Sequence, residues 1–581
     1  MDERNPNLKE FPRSDLMVIL LFGIIIYVSG VEVTHDKSGD TVSVRIGNGV
    51  IDGRRESYED KDLDVYLGIP YAQPPVGLLR FKRPLPVVDK WTEPLNAQHW
   101  SPACYHVKLH NNFFNPNMSE DCLYLNIWSP AANPSAPDTL RPVMFWIHGG
   151  GLVWGSAVEK FYSGHVLSAL GDVVVVTFNY RLNIFGTLYT GAEGPAPGNQ
   201  ALWDQALALE WVHDNIKYFG GDPDMVTVFG ESAGAVTTAL LTLSPVSRHL
   251  FRRAIVMSGT PLNSRLVADK HELESRWVSA AVKLGCDAGD SESTGRFTPQ
   301  LTDCLLGQSA DRLITVQTVL SEAEAGLMSV IVDGELLPSA PDVMLRNGDY
   351  KKGLDLMIGT TEDEGSMILL MARPDRYDKW APKPLTRDEL VGDFKQFMTL
   401  VTPGGLPNNA DDIVKFYFNG HSDDTDSLRH RVGVGLGDVL LGCPTILYAK
   451  AVHSADPTAR VYQYYYNIKA GDEKFLCAHW AGVCHFSDVY PVFGLPLIDE
   501  HKYVERERQV SRQMIAILST FARTGSPPAQ SGAQWEPYYS IDGQTIGPYY
   551  EFTNEPKVGT NFGQNLKHIE CEVLWKKHLI N

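Results

Sequence analysis

The stretch around Ser232 limits what this chain can fold into more than any other. Residues 226–229 (Val-Thr-Val-Phe) alternate in a way that predicts a buried strand, and residues 235–241 have the composition of a helix. Gly230 and Gly234 flank the serine in the turn between them. So tight a turn presents the Ser232 hydroxyl at a helix N-terminus, where backbone N–H groups favour a developing negative charge. A bare Gly-x-Ser-x-Gly also arises by chance, but this strand–turn–helix setting is that of a nucleophile elbow, and Ser232 is the candidate nucleophile.

Strand-like and helix-like segments alternate along most of the chain. Residues 143–147 and 173–178 are continuous apolar runs, which is typical of strands covered on both faces. Further strands are predicted at residues 41–46, 123–128, 254–257, 356–359 and 461–466, and helices over 199–219 and 503–524. The alternation from about residue 120 to 525 predicts an α/β fold, with a large, mainly parallel central sheet and helices on both faces.

Two passages interrupt this alternation. Residues 66–84 are rich in proline and predict a non-helical passage. Residues 284–304 are polar and rich in turn-forming residues, and they predict a surface loop between Cys286 and Cys304.

Residues 1–30 are predicted to be a secretory signal, followed by a single domain over residues 31–581. Residues 16–28 are apolar, shorter than the about 20 residues of a membrane span, and Val28 and Gly30 are small enough for a cleavage site. The preceding residues carry three bases (Arg4, Lys9, Arg13) and four acids (Asp2, Glu3, Glu10, Asp15), a net charge of −1. This charge is unusual for a signal and leaves an uncleaved anchor open; after cleavage, no membrane span is expected.

The charge and the cysteine content of the chain indicate its cellular compartment and exclude some classes of binding partner. The net charge of −19 argues against nucleic acid and anionic membrane surfaces as partners. The eight cysteines fit an oxidising compartment, and none stands in a Cys-x-x-Cys pair, so no metal site is predicted. The sequon at Asn117 is a candidate glycosylation site. These features predict a secreted protein.

A nucleophilic serine requires oxyanion donors, a base and an acid. Residues 148–151 (His-Gly-Gly-Gly) follow the predicted strand at 143–147, and such a glycine loop supplies backbone N–H donors. The candidate donors are the N–H groups of Gly150, Gly151 and Ala233. Three acids at residues 362–364 follow another predicted strand, and the sequence alone does not choose among them. Of the later histidines, His485 stands out in a small, apolar context.

Together these motifs resemble one family, the type-B carboxylesterases and cholinesterases of the α/β-hydrolase fold. The matching passages are residues 66–72 (YLGIPYA), 119–126 (SEDCLYLN), 148–151 (HGGG), 211–216 (WVHDNI), 219–223 (FGGDP), 229–234 (FGESAG), 363–366 (DEGS) and 492–496 (VFGLP). They run through nearly the whole chain after residue 30. The resemblance implies a serine ester hydrolase that needs no cofactor or metal, with Glu364 as the acid and His485 as the base.

The resemblance also implies three disulfides, Cys104–Cys122, Cys286–Cys304 and Cys443–Cys571. Two further cysteines, Cys477 and Cys484, are extra to this set. Our hypothesis is that they close a small loop beside His485; two free thiols are the alternative.

Residues near the expected substrate site depart from cholinesterases, in which a tryptophan ring holds the choline cation. Residues 105–121 contain no tryptophan and offer only Tyr105, Phe113 and Phe114. Met367 and Ile368 stand where the family has aromatic residues, and residues 321–326 contain no phenylalanine. These departures indicate an apolar cleft for neutral esters.

We therefore expect a secreted serine carboxylesterase that acts on small-molecule neutral carboxylic esters through an acyl-enzyme. One alternative is a cholinesterase with a modified choline site. Another is a non-catalytic adhesion protein that resembles neuroligins. Activity is expected to fall as His485 protonates, near the ordinary histidine pKa of about 6.5.

Overall fold

The computed structural model describes residues 40–107, 117–132, 139–192, 194–262, 267–287, 289–316, 329–402, 404–469, 477–554 and 561–579. Ser38–Asn581 form one compact unit, and Met1–Lys37 form a separate unit that lies outside the described residues. The signal over residues 1–30 and its cleavage after Gly30 therefore stay predictions.

The strands account for most of the apolar runs in the sequence. They are β1 (Thr41–Ile46), β2 (Gly49–Tyr58), β3 (Lys61–Pro70), β4 (Leu95–Asn96), β5 (Ala103–Cys104), β6 (Met118–Ser119), β7 (Tyr124–Pro130), β8 (Arg141–Ile147), β9 (Val174–Phe178), β10 (Gly221–Glu231), β11 (Arg253–Met257), β12 (Val267–Ala268), β13 (Val330–Ile331), β14 (Asp355–Thr361), β15 (Arg460–Asn467), β16 (Tyr539–Ile541), β17 (Gln544–Ile546), β18 (Pro548–Thr553) and β19 (Phe562–Gln564).

Helices occupy much of the chain between these strands. The α-helices are His165–Gly171, Asn183–Thr187, Gln200–Asn215, Ala233–Leu243, Lys270–Lys283, Ser291–Thr294, Pro299–Gly307, Ala310–Ile314, Pro341–Asn347, Glu364–Ala372, Pro374–Tyr377, Arg387–Val401, Ala410–Phe418, Thr425–Gly437, Cys443–Ala455, Val489–Val492, Leu495–Ile498, Glu505–Thr524 and Lys576–Leu579. Short 3₁₀-helices cover Gly77–Leu79, Lys160–Tyr162 and Ile216–Phe219, and π-helical turns cover Asp438–Gly442 and Ile569–Trp575.

Thirteen of the described strands form one sheet, in the order β1-β2-β3-β7-β9-β8-β10-β11-β14-β15-β18-β19 with β4 beside β2. Its centre, from β9 to β18, is parallel, whereas β1, β2, β3, β7 and β19 pair antiparallel at the two edges. Strands β9 and β11 are buried along their whole length, as expected where helices cover both faces. The prediction of an α/β-hydrolase fold with a mainly parallel central sheet is confirmed.

An aromatic cluster packs behind the carboxyl ends of the central strands. The ring of Trp146 in β8 lies 4.8 Å from that of Phe229 in β10 and 5.0 Å from that of Phe493. Tyr162 contacts the same tryptophan at 5.2 Å. Because Phe493 follows His485 by eight residues, this cluster anchors the segment after the histidine to the strand that leads to Ser232.

Of two sequence predictions about irregular passages, one was confirmed and one was wrong. Residues 66–84 are non-helical, as predicted, apart from the short 3₁₀-helix Gly77–Leu79, and the first of them, up to Pro70, belong to β3, where the proline stands at the strand end and interrupts no pairing. Between Cys286 and Cys304, where a loop was predicted, the described residues contain the helix Ser291–Thr294 and the start of the helix Pro299–Gly307. Thr298 caps the helix Pro299–Gly307 by accepting from the Leu301 N–H (3.3 Å), with proline at the first helical position. Polar composition here marked a half-exposed helix, not a loop.

Thr425–Ala455 is, among the described helices, the run that could span a membrane by length and hydropathy. However, 83% of its most apolar window is buried within the protein. A helix buried to this extent by its own chain is a core helix.

Four disulfides join all eight cysteines: Cys104–Cys122, Cys286–Cys304, Cys443–Cys571 and Cys477–Cys484. The first three are the pairs that the family resemblance implied, and the fourth is the small loop of our hypothesis. Cys443 begins a core helix and Cys571 lies near the end of the chain, 128 residues later. This set of bonds fits an oxidising compartment. Asn117 is exposed, and its glycosylation stays a prediction.

Candidate active site

Ser232 stands where β10 ends and the helix Ala233–Leu243 begins. Its backbone has φ 58° and ψ −124°, a combination that is rare for a residue with a side chain. Such strain persists only where the surrounding structure fixes it, and it is concentrated at active sites. The Ser232 N–H donates to the carbonyl of Met257 at the end of β11 (2.9 Å), so the neighbouring strand holds the turn in place.

Glycine is required on both sides of the serine. A side-chain carbon at Gly234 would lie 2.0 Å from the carbonyl oxygen of Ile147, at the end of β8. One at Gly230 would lie 2.6 Å from the Gly234 carbonyl group. The turn therefore packs directly on the end of β8, which explains the two glycines of the motif.

The glycine loop after β8 lies against the serine. A side-chain carbon at Gly149 would lie 3.1 Å from Ser232 Cβ. Gly150 and Gly151 both have positive φ, 100° and 63°, and within the described residues their N–H groups donate to no protein acceptor. Ala233 begins a helix, and its N–H is one of those that a helix leaves without an internal partner. Unused N–H donors thus flank the serine from two elements.

The imidazole of His485 contacts the carboxylate of Glu364, which follows β14. Nδ1 of His485 lies 2.6 Å from Oε2 of Glu364, and the two residues are only 3% and 2% exposed. The other oxygen, Oε1, accepts from the Ser258 hydroxyl (2.5 Å) and the Thr361 N–H (2.7 Å). These two donors fix the carboxylate, so that Oε2 can hold the imidazole in one orientation.

The two acids before Glu364 have other surroundings. Oδ1 of Asp363 lies 2.6 Å from Nε2 of His430, and Oδ2 accepts from the Val483 N–H (2.8 Å). Glu362 is only partly buried, and burial raises the pKa of its carboxyl. Of the three acids that the sequence left open, Glu364 is the one that contacts His485.

A second buried carboxylate faces the imidazole from the opposite side. Oε1 of Glu231, the residue before Ser232, lies 2.9 Å from Nε2 of His485. Both ring nitrogens thus face carboxylate oxygens, which favours the doubly protonated imidazolium. Burial by itself would lower the pKa of His485, but Glu231 and Glu364 outweigh burial and raise this pKa well above its ordinary value. The expected pKa near 6.5 was therefore too low.

The Ser232 hydroxyl is partly buried and makes no hydrogen bond to another described residue. Nε2 of His485 instead faces Glu231, the residue that directly precedes Ser232 in the chain. The structure thus joins His485 to Glu364 and brings this pair against the elbow without a serine–histidine hydrogen bond. Catalytic hydrogen bonds are often long in ligand-free enzymes and tighten when the substrate binds.

Asp488 is a third buried acid beside the site, and the sequence analysis missed it. Its Oδ2 accepts from the Tyr464 hydroxyl (2.7 Å), whereas Oδ1 has no partner in the described part of the chain. Burial raises the pKa of Asp488 to about 7, and the charges of Glu231 and Glu364 act in the same direction. The available signal was an acid three residues after His485 in an apolar passage.

The segment that carries His485 is fixed on both sides. Cys477 and Cys484 are bonded across seven residues, and Cys484 is fully buried directly before the histidine. Asp363 pairs with this segment as well, since its N–H donates to the Val483 carbonyl (3.0 Å). The hydroxyl of Ser487, on the other side, donates to the Cys484 carbonyl (2.7 Å).

Three of the residues expected to shape the substrate site are described. The Tyr105 ring packs 5.9 Å from that of Phe185. Met367 is buried and Ile368 is partly buried in the helix that begins at Glu364. Phe113, Phe114 and residues 321–326 lie outside the described residues.

Comparisons with known proteins identify the family of the chain. A model of the carboxylesterase family matches residues 40–574. Acetylcholinesterase of Bungarus fasciatus is 33% identical over 533 residues, covering 89% of this chain and 84% of that protein. Acetylcholinesterase of Electrophorus electricus is 31% identical over 608 residues (96% and 92% covered), and acetylcholinesterase-1 of Trittame loki is 32% identical over 579 residues (97% and 98% covered). The chain therefore belongs to the carboxylesterase family of the α/β-hydrolase fold, and it is a serine hydrolase of carboxylic esters.

Proposed function

We propose that Ser232, His485 and Glu364 form the catalytic triad of this esterase, and that its substrates are neutral carboxylic esters. The observation that carries the triad is the 2.6 Å contact of Glu364 with His485, buried beside a strained serine. Gly150, Gly151 and Ala233 supply the oxyanion donors. Small-molecule esters are the partners of this site, and no cofactor takes part.

The chemistry follows the acyl-enzyme route. The neutral imidazole of His485 takes the hydroxyl proton at Nε2 while Ser232 Oγ bonds to the ester carbonyl carbon. The carbonyl oxygen becomes an oxyanion and accepts hydrogen bonds from the backbone donors, and Glu364 stabilises the imidazolium. The bond to the alcohol oxygen then breaks, and the leaving alcohol takes the proton from Nε2. Water repeats both steps on the acyl-enzyme, which releases the acid and restores the serine.

Nε2 must be free of its own proton before it can act as a base. The contact with Glu231 favours the protonated ring, so we assign the observed arrangement to the resting imidazolium. Loss of that proton removes the attraction to Glu231 and leaves an Nε2 lone pair for the serine. Glu231 therefore sets the pH at which the base becomes available.

Neutral substrates are supported by the side chains near the acid. A choline cation is held by aromatic ring faces, and the helix that starts at Glu364 offers Met367 and Ile368 at the corresponding place. No tryptophan occurs in residues 105–121. An ester without charge needs only an apolar cleft and the oxyanion donors.

A cholinesterase with a modified choline site is the second candidate. Glu231 and Glu364 place two acids around one imidazole, and although burial raises the pKa of Glu231, its ionised form beside Glu364 would attract a cation. The relatives described above also carry the name acetylcholinesterase. Comparison of acetylthiocholine with phenyl acetate separates the two. We expect a higher kcat/KM for phenyl acetate, and a strong preference for the cation would favour the cholinesterase.

Labelling with a fluorophosphonate probe tests the nucleophile and the non-catalytic alternative together. We expect the native protein to be labelled at Ser232, and the Ser232→Ala variant to be neither labelled nor active. Ser293→Ala serves as a matched control, because this exposed serine donates to the Asp290 carbonyl, and the variant should be labelled at Ser232 like the native protein. A native protein that the probe does not modify would support a non-catalytic adhesion protein.

Secretion is part of the proposal, and appearance of the protein in the culture medium of expressing cells would test it.

A further inference from the structure

A cleft with two cationic side chains lies near the amino ends of the central strands, whereas the candidate active site lies at their carboxyl ends. It has a volume of about 370 Å³ and is lined by His213, Pro223, Asp224, His249, Phe251, Arg252 and Lys351. Two of the seven lining residues, Arg252 and Lys351, are cationic, two are histidines and one is acidic, in a chain whose net charge is −19 with histidine neutral. The cleft falls within the size range of small-molecule sites, roughly 300–1,000 Å³. We name it the basic cleft.

The position of the basic cleft follows from the parallel strands. Arg252 directly precedes β11, and Lys351 shortly precedes β14. Ser258 and Glu364, by contrast, follow the carboxyl ends of these same strands. β11 has five residues, and a strand rises ~3.3 Å per residue, so its amino and carboxyl ends are roughly 16 Å apart. A ligand in the basic cleft therefore does not compete with an ester at Ser232.

The lysine and the arginine of the basic cleft lack carboxylate partners, whereas Nδ1 of His213 lies 3.3 Å from Oδ1 of Asp214. Nζ of Lys351 donates to the Arg248 carbonyl (3.0 Å) and lies 5.4 Å from the centre of the Phe251 ring. Burial and the neighbouring Arg252 lower the pKa of this lysine. In the described part of the chain, no carboxylate is within ion-pair distance of Lys351, Arg252 or His249. A half-buried ammonium without a counter-ion is costly, and an anion would relieve that cost.

The acids near the two cations of the basic cleft either form ion pairs with other residues or are exposed to solvent. Asp355, at the start of β14, is engaged by two arginines: Arg460 Nε lies 2.7 Å from Oδ1, and Arg253 Nε lies 3.3 Å from Oδ2. Asp224 is exposed and is the one carboxylate that lines the cleft. It opposes an anion, and its removal should strengthen binding.

We propose that the basic cleft binds a small organic sulfate or phosphate ester. Arg252 and Lys351 would hold the tetrahedral oxyanion, since both are cationic donors suited to such groups. Pro223 and Phe251 give the cleft an apolar wall for the organic part. The volume exceeds the need of a free inorganic ion, which favours an ester.

Isothermal titration calorimetry at low ionic strength tests the proposal with three probes: inorganic sulfate, inorganic phosphate and N-acetylglucosamine 6-sulfate. We compare the native protein with Arg252→Gln/Lys351→Met, which removes both charges and keeps part of each aliphatic stem. The control is Lys61→Ala/Lys415→Ala, which removes two exposed lysine charges outside the cleft. We expect the cleft variant to bind at least about tenfold more weakly, about 1.4 kcal/mol, and the control to bind like the native protein.

Two further readouts sharpen the result. Asp224→Asn should tighten binding about two- to fivefold, because it removes the opposing charge. The probes should leave the KM for phenyl acetate unchanged, since the two sites lie at opposite ends of the central strands.

If the double variant does not fold, Arg252→Gln alone carries the test, because this side chain is exposed. Equal affinity for the inorganic ions and the sugar sulfate would assign the cleft to free oxyanions. Absence of saturable binding at millimolar probe, or equal loss in the control, would overturn the proposal.

Discussion

His485 and Glu364 are 121 residues apart in the sequence, yet Nδ1 of the first lies 2.6 Å from Oε2 of the second. The carboxylate that makes this contact is itself held by Ser258 and Thr361. A base oriented in this way keeps one tautomer and directs its other nitrogen toward the elbow. The relationship defines the site more sharply than the serine motif alone.

Glu364→Gln should lower kcat by roughly 10³- to 10⁴-fold, because the amide no longer stabilises the imidazolium or fixes its tautomer. Steady-state hydrolysis of phenyl acetate measures the effect. Glu362→Gln is the matched control, since this partly buried neighbour does not contact His485, and its kcat should stay within about twofold of the native value. Equal losses in both variants would contradict the assignment of the acid.

Glu231→Gln should move the acid limb of the pH–rate profile to lower pH by about one unit or more. The pKa of His485 is raised above its ordinary value, so activity is present above the raised pKa and is lost as the pH falls through it. Removing one of the two charges that raise it extends activity to more acidic solutions. Glu210→Gln, on an exposed helix face, should leave the profile in place. An unmoved acid limb in the first variant would refute the role of Glu231.

Replacing both members of the disulfide beside the base should damage catalysis more than stability. The small loop of Cys477–Cys484 contributes about 2 kcal/mol by loop entropy, whereas the long loop of Cys443–Cys571 contributes about 5 kcal/mol. Cys477→Ser/Cys484→Ser should therefore reduce kcat about tenfold or more with a modest change in Tm. Cys286→Ser/Cys304→Ser is the control, since that bond joins the segment after the helix Lys270–Lys283 to the helix Pro299–Gly307, both remote from His485 in the sequence. A double variant at 477 and 484 with native kcat would show that the loop does not position the histidine.

Gly234→Ala should abolish activity and lower stability, because its side-chain carbon would lie 2.0 Å from the Ile147 carbonyl. Gly392→Ala is the matched control. This glycine lies on the exposed face of the helix Arg387–Val401, and an added side chain there meets nothing within 4 Å. We expect that variant to keep full activity and to gain up to about 1 kcal/mol of stability. Thermal unfolding and phenyl acetate hydrolysis measure both, and an active, native-like Gly234→Ala protein would contradict the packing described for the elbow.

Local patterns predicted the parts of the fold that are set by local physics. The apolar runs at β8 and β9 and the glycines around Ser232 have causes within a few residues, and they were predicted from the sequence. The helix Pro299–Gly307 was missed because only Leu301, Thr302 and Leu305 of its nine residues are buried, so its apolar face is short. Composition alone does not distinguish such a helix from a loop.

The site residues that were missed depend on contacts between distant segments. Among the three acids at residues 362–364, the family resemblance pointed to Glu364, whereas composition and spacing alone could not, because the direction of each side chain after β14 separates them. Ser258 follows β11 just as Ser232 follows β10, so the parallel order of strands placed it at the same edge. The contact of Glu231 with His485 changes the expected pH dependence. It could be found only from the three-dimensional positions of the Glu231 and Glu364 carboxylates relative to the imidazole.

The bond between Cys443 and Cys571 also affects how the protein responds to a protease. A single backbone cut anywhere between these two cysteines leaves both fragments covalently joined, although 128 residues separate them. Such nicked protein would migrate as one band on a non-reducing gel and as two after treatment with a thiol. A single band on a non-reducing gel is therefore no proof of an uncut chain in preparations of this esterase.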